Sequence, residues 1–243
     1  MKTVRFNGFL FLAIAMSIML AFQSCQDKDL PDPDEEPEEP ELTEITDIDG
    51  NVYEAVKIGD HYWMQKNLKV THFNDGTPID HVKKNHDWAN HLEAAYSFYN
   101  NDLENKEVFG ALYNRAAAHS GKLCPTGWQV PSKADFNYLA DFAISMGGSV
   151  GNSLREKGYD HWEDPYPVLV FADNKTGFSA RGGGMRTTEG EFSDIRKHGY
   201  WWHSEGHMDY TTWARRLDYD SYVFPMLGSN EDFGFSIRCI KSE

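Results

Sequence analysis

The sequence predicts a loop-rich domain of the α+β or mostly β class, built from short strands around one main helix at about 132–146. Three observations lead there. Twenty glycines, ten prolines and 14% aromatic residues break the chain into short segments. One stretch keeps helical spacing over several turns, with Phe136, Leu139, Ala140, Ala143 and Met146 on one face. After it, aromatic segments alternate with glycine turns up to the C-terminus, a pattern of short strands rather than long helices.

The chain has 243 residues and divides by composition into three parts. Residues 1–24 read as a signal peptide. Lys2 and Arg5 form a basic start, and Phe9 to Phe22 is an apolar run interrupted by Ser17, shorter than the ~20 residues a membrane span needs. Ser24-Cys25 follows at once. A small residue before a cysteine at this position resembles a bacterial lipoprotein processing site, in which Cys25 becomes the lipidated N-terminus. Phe22-Gln23 departs from the usual Leu-small-small pattern, and an ordinary secretory signal cleaved nearby is the other reading. Gln26-Asp27-Lys28-Asp29 resembles the export tag of Bacteroides-type surface lipoproteins. The expected location is the outer membrane, with the lipid bilayer as partner through the anchor and the domain surface-exposed.

Residues 25–43 hold Cys25 and a linker in which Pro31, Pro33, Pro37 and Pro40 alternate with acids. So few apolar residues cannot bury enough to fold, and prolines with like charges extend the chain into a stalk. Residues 26–49 carry twelve acids against one lysine, so most of the net charge of −15 belongs to this segment. No basic stripe remains to neutralise phosphates, which argues against a nucleic-acid partner.

Residues 44–243 form the domain, about 200 residues and enough for a real core. Ile45–Ile48 and Val52–Ile58 around Asp49-Gly50-Asn51 predict a hairpin, and His61–Met64 a third strand after the Gly59-Asp60 turn. Residues 74–107 lack a sustained period and read as a long decorated loop with one short helix. Leu112–Ala118 is compact and apolar. Ser132 is placed to cap the main helix with Asp135 at the reciprocal position, and Gly147-Gly148 to end it. A short second helix is expected from Val150 to Glu156. Strands are expected at Val168–Ala172, Gly177–Ala180, Gly182–Gly184, Tyr200–Trp202, Thr212–Leu217, Tyr222–Phe224 and Phe235–Ile240.

Several of these segments carry a family resemblance. Val56-Lys57-Ile58-Gly59, Trp63-Met64, Asn67-Leu68, Asp75-Gly76-Thr77-Pro78-Ile79 and Gly110-Ala111-Leu112-Tyr113-Asn114 are followed by Leu123-Cys124-Pro125-Thr126-Gly127-Trp128-Gln129-Val130-Pro131-Ser132. Gly177-Phe178-Ser179-Ala180, Gly182-Gly183-Gly184, Trp201-Trp202, Trp213-Ala214 and Gly234-Phe235-Ser236-Ile237-Arg238-Cys239 complete the series. In this order they resemble the Fibrobacter succinogenes major paralogous domain of Bacteroidetes-type surface lipoproteins, over roughly residues 45–241. The resemblance implies a C-type-lectin-like fold with short, mostly antiparallel strands. It also implies a disulfide between Cys124, near the first helix, and Cys239, in the last strand. The cysteine count agrees: Cys25 is taken by lipid and two remain in an exported chain, with two buried free thiols as the alternative.

For function, the sequence points to binding rather than catalysis. Calcium-dependent lectins of the fold implied use Glu-Pro-Asn or Gln-Pro-Asp with Trp-Asn-Asp, and neither stands here; Glu163-Asp164-Pro165 and Asn230-Glu231-Asp232 are the clusters of oxygen donors from which a calcium site would have to be built. The fold is shared with formylglycine-generating enzymes, whose acting cysteine pair this chain lacks. His203-Ser204-Glu205-Gly206-His207 is not the His-Glu-x-x-His of zinc proteases, and His81, His86 and His91 do not share a helical face, so no metal is expected. The aromatics Trp88, Trp162, Tyr166, Trp201, Trp202, Tyr210, Trp213 and Tyr219 lie among polar loops, where exposed rings stack on sugars or anchor partners. Trp201, Trp202 and Trp213, at strand positions, are expected in the core. Trp162 and Tyr166, beside Asp160, Glu163 and Asp164, are the expected binding residues. The expectation is thus a lipid-anchored surface protein recognising a glycan or surface partner, without cofactor and not an enzyme. The alternative is a structural subunit of a surface layer or adhesive appendage.

Overall fold

A computed structural model describes residues 42–167, 171–206, 212–229 and 233–242. The expected signal segment, Cys25 and nearly all of the acidic segment lie outside them, as do Tyr210, His207, the Asn230–Asp232 cluster and the side chain of Trp213.

The chain opens with β1 (Leu42–Thr46) and β2 (Val52–Ile58), paired antiparallel as a hairpin. Its turn is held by Asp47, whose carboxylate accepts from the amides of Asp49 and Asn51 and from the Tyr53 hydroxyl, 2.7 Å away. β3 (His61–Met64) pairs with β2. Residues 74–107 hold more structure than the featureless sequence predicts: β4 (Asp80–His81), α1 (Asn85–Ala89), β5 (Ala95–Ser97), a 3-10 turn (Tyr99–Asn101) and α2 (Leu103–Phe109). The reason is tertiary. Each piece is too short to show a period, and is fixed by contacts far away in sequence. The buried Trp88 of α1 lies under the guanidinium of Arg186, 4.4 Å from its ring, and that guanidinium donates to the carbonyls of Val82, Lys83 and Gly190.

β6 (Leu112–Tyr113) and α3 (Arg115–Ala118) precede the main helix, α4 (Lys133–Ser145). The Ser132 hydroxyl accepts from the Asp135 amide and the Asp135 carboxylate accepts from the Ser132 amide, so the predicted reciprocal cap forms with Asp in the position Glu usually takes. Phe136, Leu139 and Ala143 are buried on its inner face, while Met146, at the C-cap, is exposed. α5 (Val150–Leu154) follows, capped by Ser149.

The remaining strands are β7 (Gly183–Arg186), β8 (Phe192–Ile195), β9 (His198–Gly206), β10 (Thr212–Asp218), β11 (Met226–Ser229) and β12 (Ile240–Ser242). Four expected strands differ. Phe235–Ile240 makes only isolated bridges at Phe235 and Ser236 before β12 begins at Ile240, so Cys239 lies just ahead of the last strand. Gly177–Ala180 is a loop in which Ser179 takes a positive φ of 53°. Tyr222–Phe224 leads into β11 rather than forming a strand. Residues 168–170 of the expected Val168–Ala172 strand are outside the described residues, and Phe171 and Ala172 are irregular.

The domain is therefore α+β, with mostly antiparallel sheets and few helices. One sheet has the order β1-β2-β3-β12, so the last strand closes on the first three. A second runs β11-β10-β9-β7-β8 with one parallel step, β7 to β9, and a third runs β4-β5-β6. The α4 face packs Phe136, Leu139 and Ala143 into a cluster with Trp63, Trp162, Phe178 and Trp201. Trp201 and Trp202 are buried, as their strand positions predict. At the centre, Asn67 ties four segments together. Its Oδ1 accepts from Trp201 Nε1 (2.9 Å) and from Arg238 Nη2 (3.0 Å), and its Nδ2 donates to the Phe109 carbonyl (2.8 Å) and Ser236 Oγ (3.2 Å). Arg238 is almost wholly buried and makes no ion pair among the described residues, with Glu156 acting on it only from a distance. Burial holds its pKa down to about 9, and its charge is solvated by Asn67, the Phe178 carbonyl and the Phe178 ring face.

Candidate functional site

Cys124 and Cys239 form a disulfide, with Cα atoms 5.9 Å apart, and both are buried. Immediately after Cys124 the chain makes a turn from Pro125 to Trp128, closed by the Trp128 amide donating to the Pro125 carbonyl at 2.9 Å. Gly127 takes φ +84° at its third position; a Cβ there would meet no neighbour, so glycine is needed for the backbone alone. Gln129 and Ile240 then exchange two backbone hydrogen bonds of 2.9 Å, and Asn74 Nδ2 donates to the Cys124 carbonyl at 3.1 Å. Covalent bond, backbone bridge and side-chain bond fix the turn from three sides. Its product is Trp128, a half-buried indole packed on one side against the cluster around the disulfide.

Two depressions meet at this indole. The smaller, about 170 Å³, is lined by His119, Gly121, Leu123, Gln129 and Ser204 with Trp128. The larger, about 450 Å³, is lined by Thr43, Glu44, Ile45 and Thr46 of β1, Tyr62 of β3 and Lys241 of β12, again with Trp128. The disulfide and the Gln129–Ile240 bridge are what bring residue 128 beside the C-terminal strand. The β3–β12 pairing sets Tyr62 opposite Lys241.

His119 has a defined protonation pattern. Its Nε2 lies 3.0 Å from the His203 carbonyl oxygen, and a carbonyl only accepts, so Nε2 carries the proton and Nδ1 offers a lone pair. Burial moves its pKa below the ordinary histidine value, which keeps the ring neutral at pH 7. His203 itself is buried inside, its ring stacked on Phe136 at 5.1 Å, and Glu205 accepts from the Lys133 amide at the start of α4. The His203–Glu205 run thus braces the wall of the smaller depression on a strand, not a helix. Among the described residues no group of three or more His, Cys, Asp or Glu side chains could hold a metal ion.

The expected binding loop is split by the structure. Trp162 is a correction: it is 2% exposed, its Nε1 donates to the Ala180 carbonyl at 2.9 Å, and its ring is covered by the backbone of Gly182. Acidic neighbours made it look like a surface residue, but the indole points inward from the loop and presents no face. Tyr166 is 82% exposed, Asp164 accepts from the Tyr166 amide at 3.0 Å, and Asp160 is exposed. Glu163 faces Lys197 at 3.9 Å. Cys25 lies outside the described residues. Trp128, by contrast, did not stand out in the sequence. Its position in a turn, between a glycine and a glutamine and away from any strand pattern, is the signal that could have marked it as presented rather than packed.

The fold and this surface define a disulfide-closed α+β domain with a presented tryptophan at the junction of its terminal segments. The chain belongs to the Fibrobacter succinogenes major domain family, whose model matches residues 56–241. No curated protein and no solved structure matches it.

Proposed function

We propose that this chain is a lipid-anchored surface lipoprotein of the outer membrane whose domain, of C-type-lectin-like fold, is a binding module for a glycan or a surface partner. The observation that carries the binding reading is the half-buried Trp128, held rigid by the Cys124–Cys239 disulfide and flanked by two depressions with polar rims. A fixed aromatic face loses little conformational entropy on binding, and indoles are prominent among the residues that dominate recognition. The lectin-like fold is supported by the closure of the N-terminal sheet by the last strand and by the disulfide linking the segment before α4 to the segment leading into that strand. The anchor is supported by the basic start, apolar run and Ser24-Cys25 of the sequence, and the stalk by its acidic, proline-rich composition.

The assembly alternative has one supporting observation, the position of β1 at the edge of its sheet among the described strands, where a strand of another chain could pair with it. The experiment that separates the readings is binding of the purified chain to arrayed glycans and to cell-surface extracts, with Trp128→Ala beside it. Retention that depends on Trp128 supports the binding module. No retention on any surface, together with oligomers that grow with concentration, would replace it with the assembly role. Cys25→Ala should move the protein from the membrane fraction to the soluble one; continued sedimentation with membranes would remove the lipid anchor from the proposal.

A further inference from the structure

We propose that the two depressions beside Trp128 are one track for a linear, uncharged oligosaccharide, with the indole as the stacking platform at its middle. This deepens the binding reading above and rests on it.

The shape suits a chain better than a single ring. One indole lines both the pocket of about 170 Å³ and the groove of about 450 Å³, so a sugar seated on it has room to continue on either side. The larger groove alone lies within the range of small-ligand sites. A second partly exposed ring, Tyr62, stands in that groove beside Lys241, offering a further stacking face where the ligand runs on toward β1.

The chemistry of the rim matches hydroxyl-rich, uncharged groups. Thr43 at one end, on the face of β1 shared with Tyr62, and Gln129 and Ser204 at the other both donate and accept hydrogen bonds. His119, with its proton committed to the His203 carbonyl, adds an acceptor. The charges beside the groove are Lys241 and Lys57, set on either side of Tyr62 by strand register with the Lys57 ammonium 5.8 Å from the Tyr62 ring, and Glu44 on the other face of β1. Two lysines at one ring are too few to bind a polyanionic chain along its length, and the net acidic charge of the protein repels it. An extended peptide would use apolar pockets for alternate side chains, whereas polar and charged residues line most of the groove.

The test is calorimetric titration of the full chain with malto-, cello-, xylo- and chito-oligosaccharide series, each from mono- to hexasaccharide. Affinity should rise with chain length in at least one series. Trp128→Ala should weaken the hexasaccharide by about tenfold or more, as loss of a stacking face implies. Trp128→Tyr should recover part of it. His119→Ala and Tyr62→Ala, at the two ends, should each shorten the length over which affinity grows, with the thermal midpoint checked to show that the fold is kept. Leu92→Ala, at an exposed position elsewhere, should change nothing. Equal affinity for monosaccharide and hexasaccharide overturns the track. So does binding lost with Tyr166→Ala and kept with Trp128→Ala, binding confined to uronate polymers, or no binding in any series. Capture of a surface protein through Trp128 without sugar binding overturns the track and leaves the binding module standing.

Discussion

His203 makes the stability of this domain depend on acid in a way that can be isolated. Its ring is fully buried on β9, stacked at 25° to Phe136, and neither ring nitrogen has a hydrogen-bond partner among the described residues. Burial first, and then the positive charges of Arg215 and Lys133 and the His119 ring, push its pKa from 6.5 down to about 3. The folded state therefore keeps this ring neutral where the unfolded chain protonates it. The unfolded state binds the extra proton, so the contribution is fully present above pH 6.5 and is lost as pH falls toward about 3. Each pH unit inside that window is worth up to about 1.4 kcal/mol, which gives about 2 kcal/mol at pH 5 and on the order of 4–5 kcal/mol across the whole window. His203→Phe keeps the stack on Phe136 and removes the titration. Urea unfolding of the full chain without reductant, at pH 7 and pH 5, gives the free energy lost by each protein on acidification. The variant should lose about 2 kcal/mol less than the parent. At pH 7 the two should lie within about 1–2 kcal/mol, because removing two unpartnered ring nitrogens offsets the tighter packing of phenylalanine. Parallel losses on acidification would refute the reasoning, since they would mean that His203 titrates alike in both states.

Three further outcomes follow from the same interior. Asn67→Leu strips Trp201 Nε1 and part of the buried Arg238 guanidinium of their acceptor, and should cost about 3 kcal/mol or more in urea unfolding; a loss under 1 kcal/mol would show that Asn67 is not what solvates the Arg238 charge. Cys239→Ser opens a link spanning 115 residues and should cost on the order of 4–5 kcal/mol, while mass spectrometry of the parent without reductant should find Cys124 joined to Cys239; two alkylatable thiols in the native chain would contradict the disulfide. Gly127→Ala forces a side chain into φ +84° and should cost about 1–2 kcal/mol; unchanged stability would mean that the turn holding Trp128 tolerates another backbone conformation.

Much of the architecture was legible because it is local. The hairpin of β1 and β2 is visible in alternation around Asp49-Gly50-Asn51, and α4 in a cap, a periodic face and a glycine stop. The segment from 74 to 107 was not, because its helices and strands are two to seven residues long and are fixed by partners such as Arg186 rather than by their own pattern. Of the expected binding residues, Tyr166, Asp160 and Asp164 do lie on the surface, while Trp162 is buried. Neighbouring charges tell where a backbone segment runs, not which way one side chain turns.

The sequence by itself determined the apolar N-terminal run and the acidic, proline-rich segment after it, the α+β class, and the family, since composition, caps and ordered motifs are properties of neighbouring residues. It also narrowed the disulfide to two cysteines. Only the tertiary structure decided that residue 128 stands where the disulfide, β1, β3 and β12 converge, and that Trp162 does not reach the surface. The physical reason is that a site assembled from residues 43, 62, 119, 128, 204 and 241 exists only once long-range strand pairing and a cross-link have set their distances.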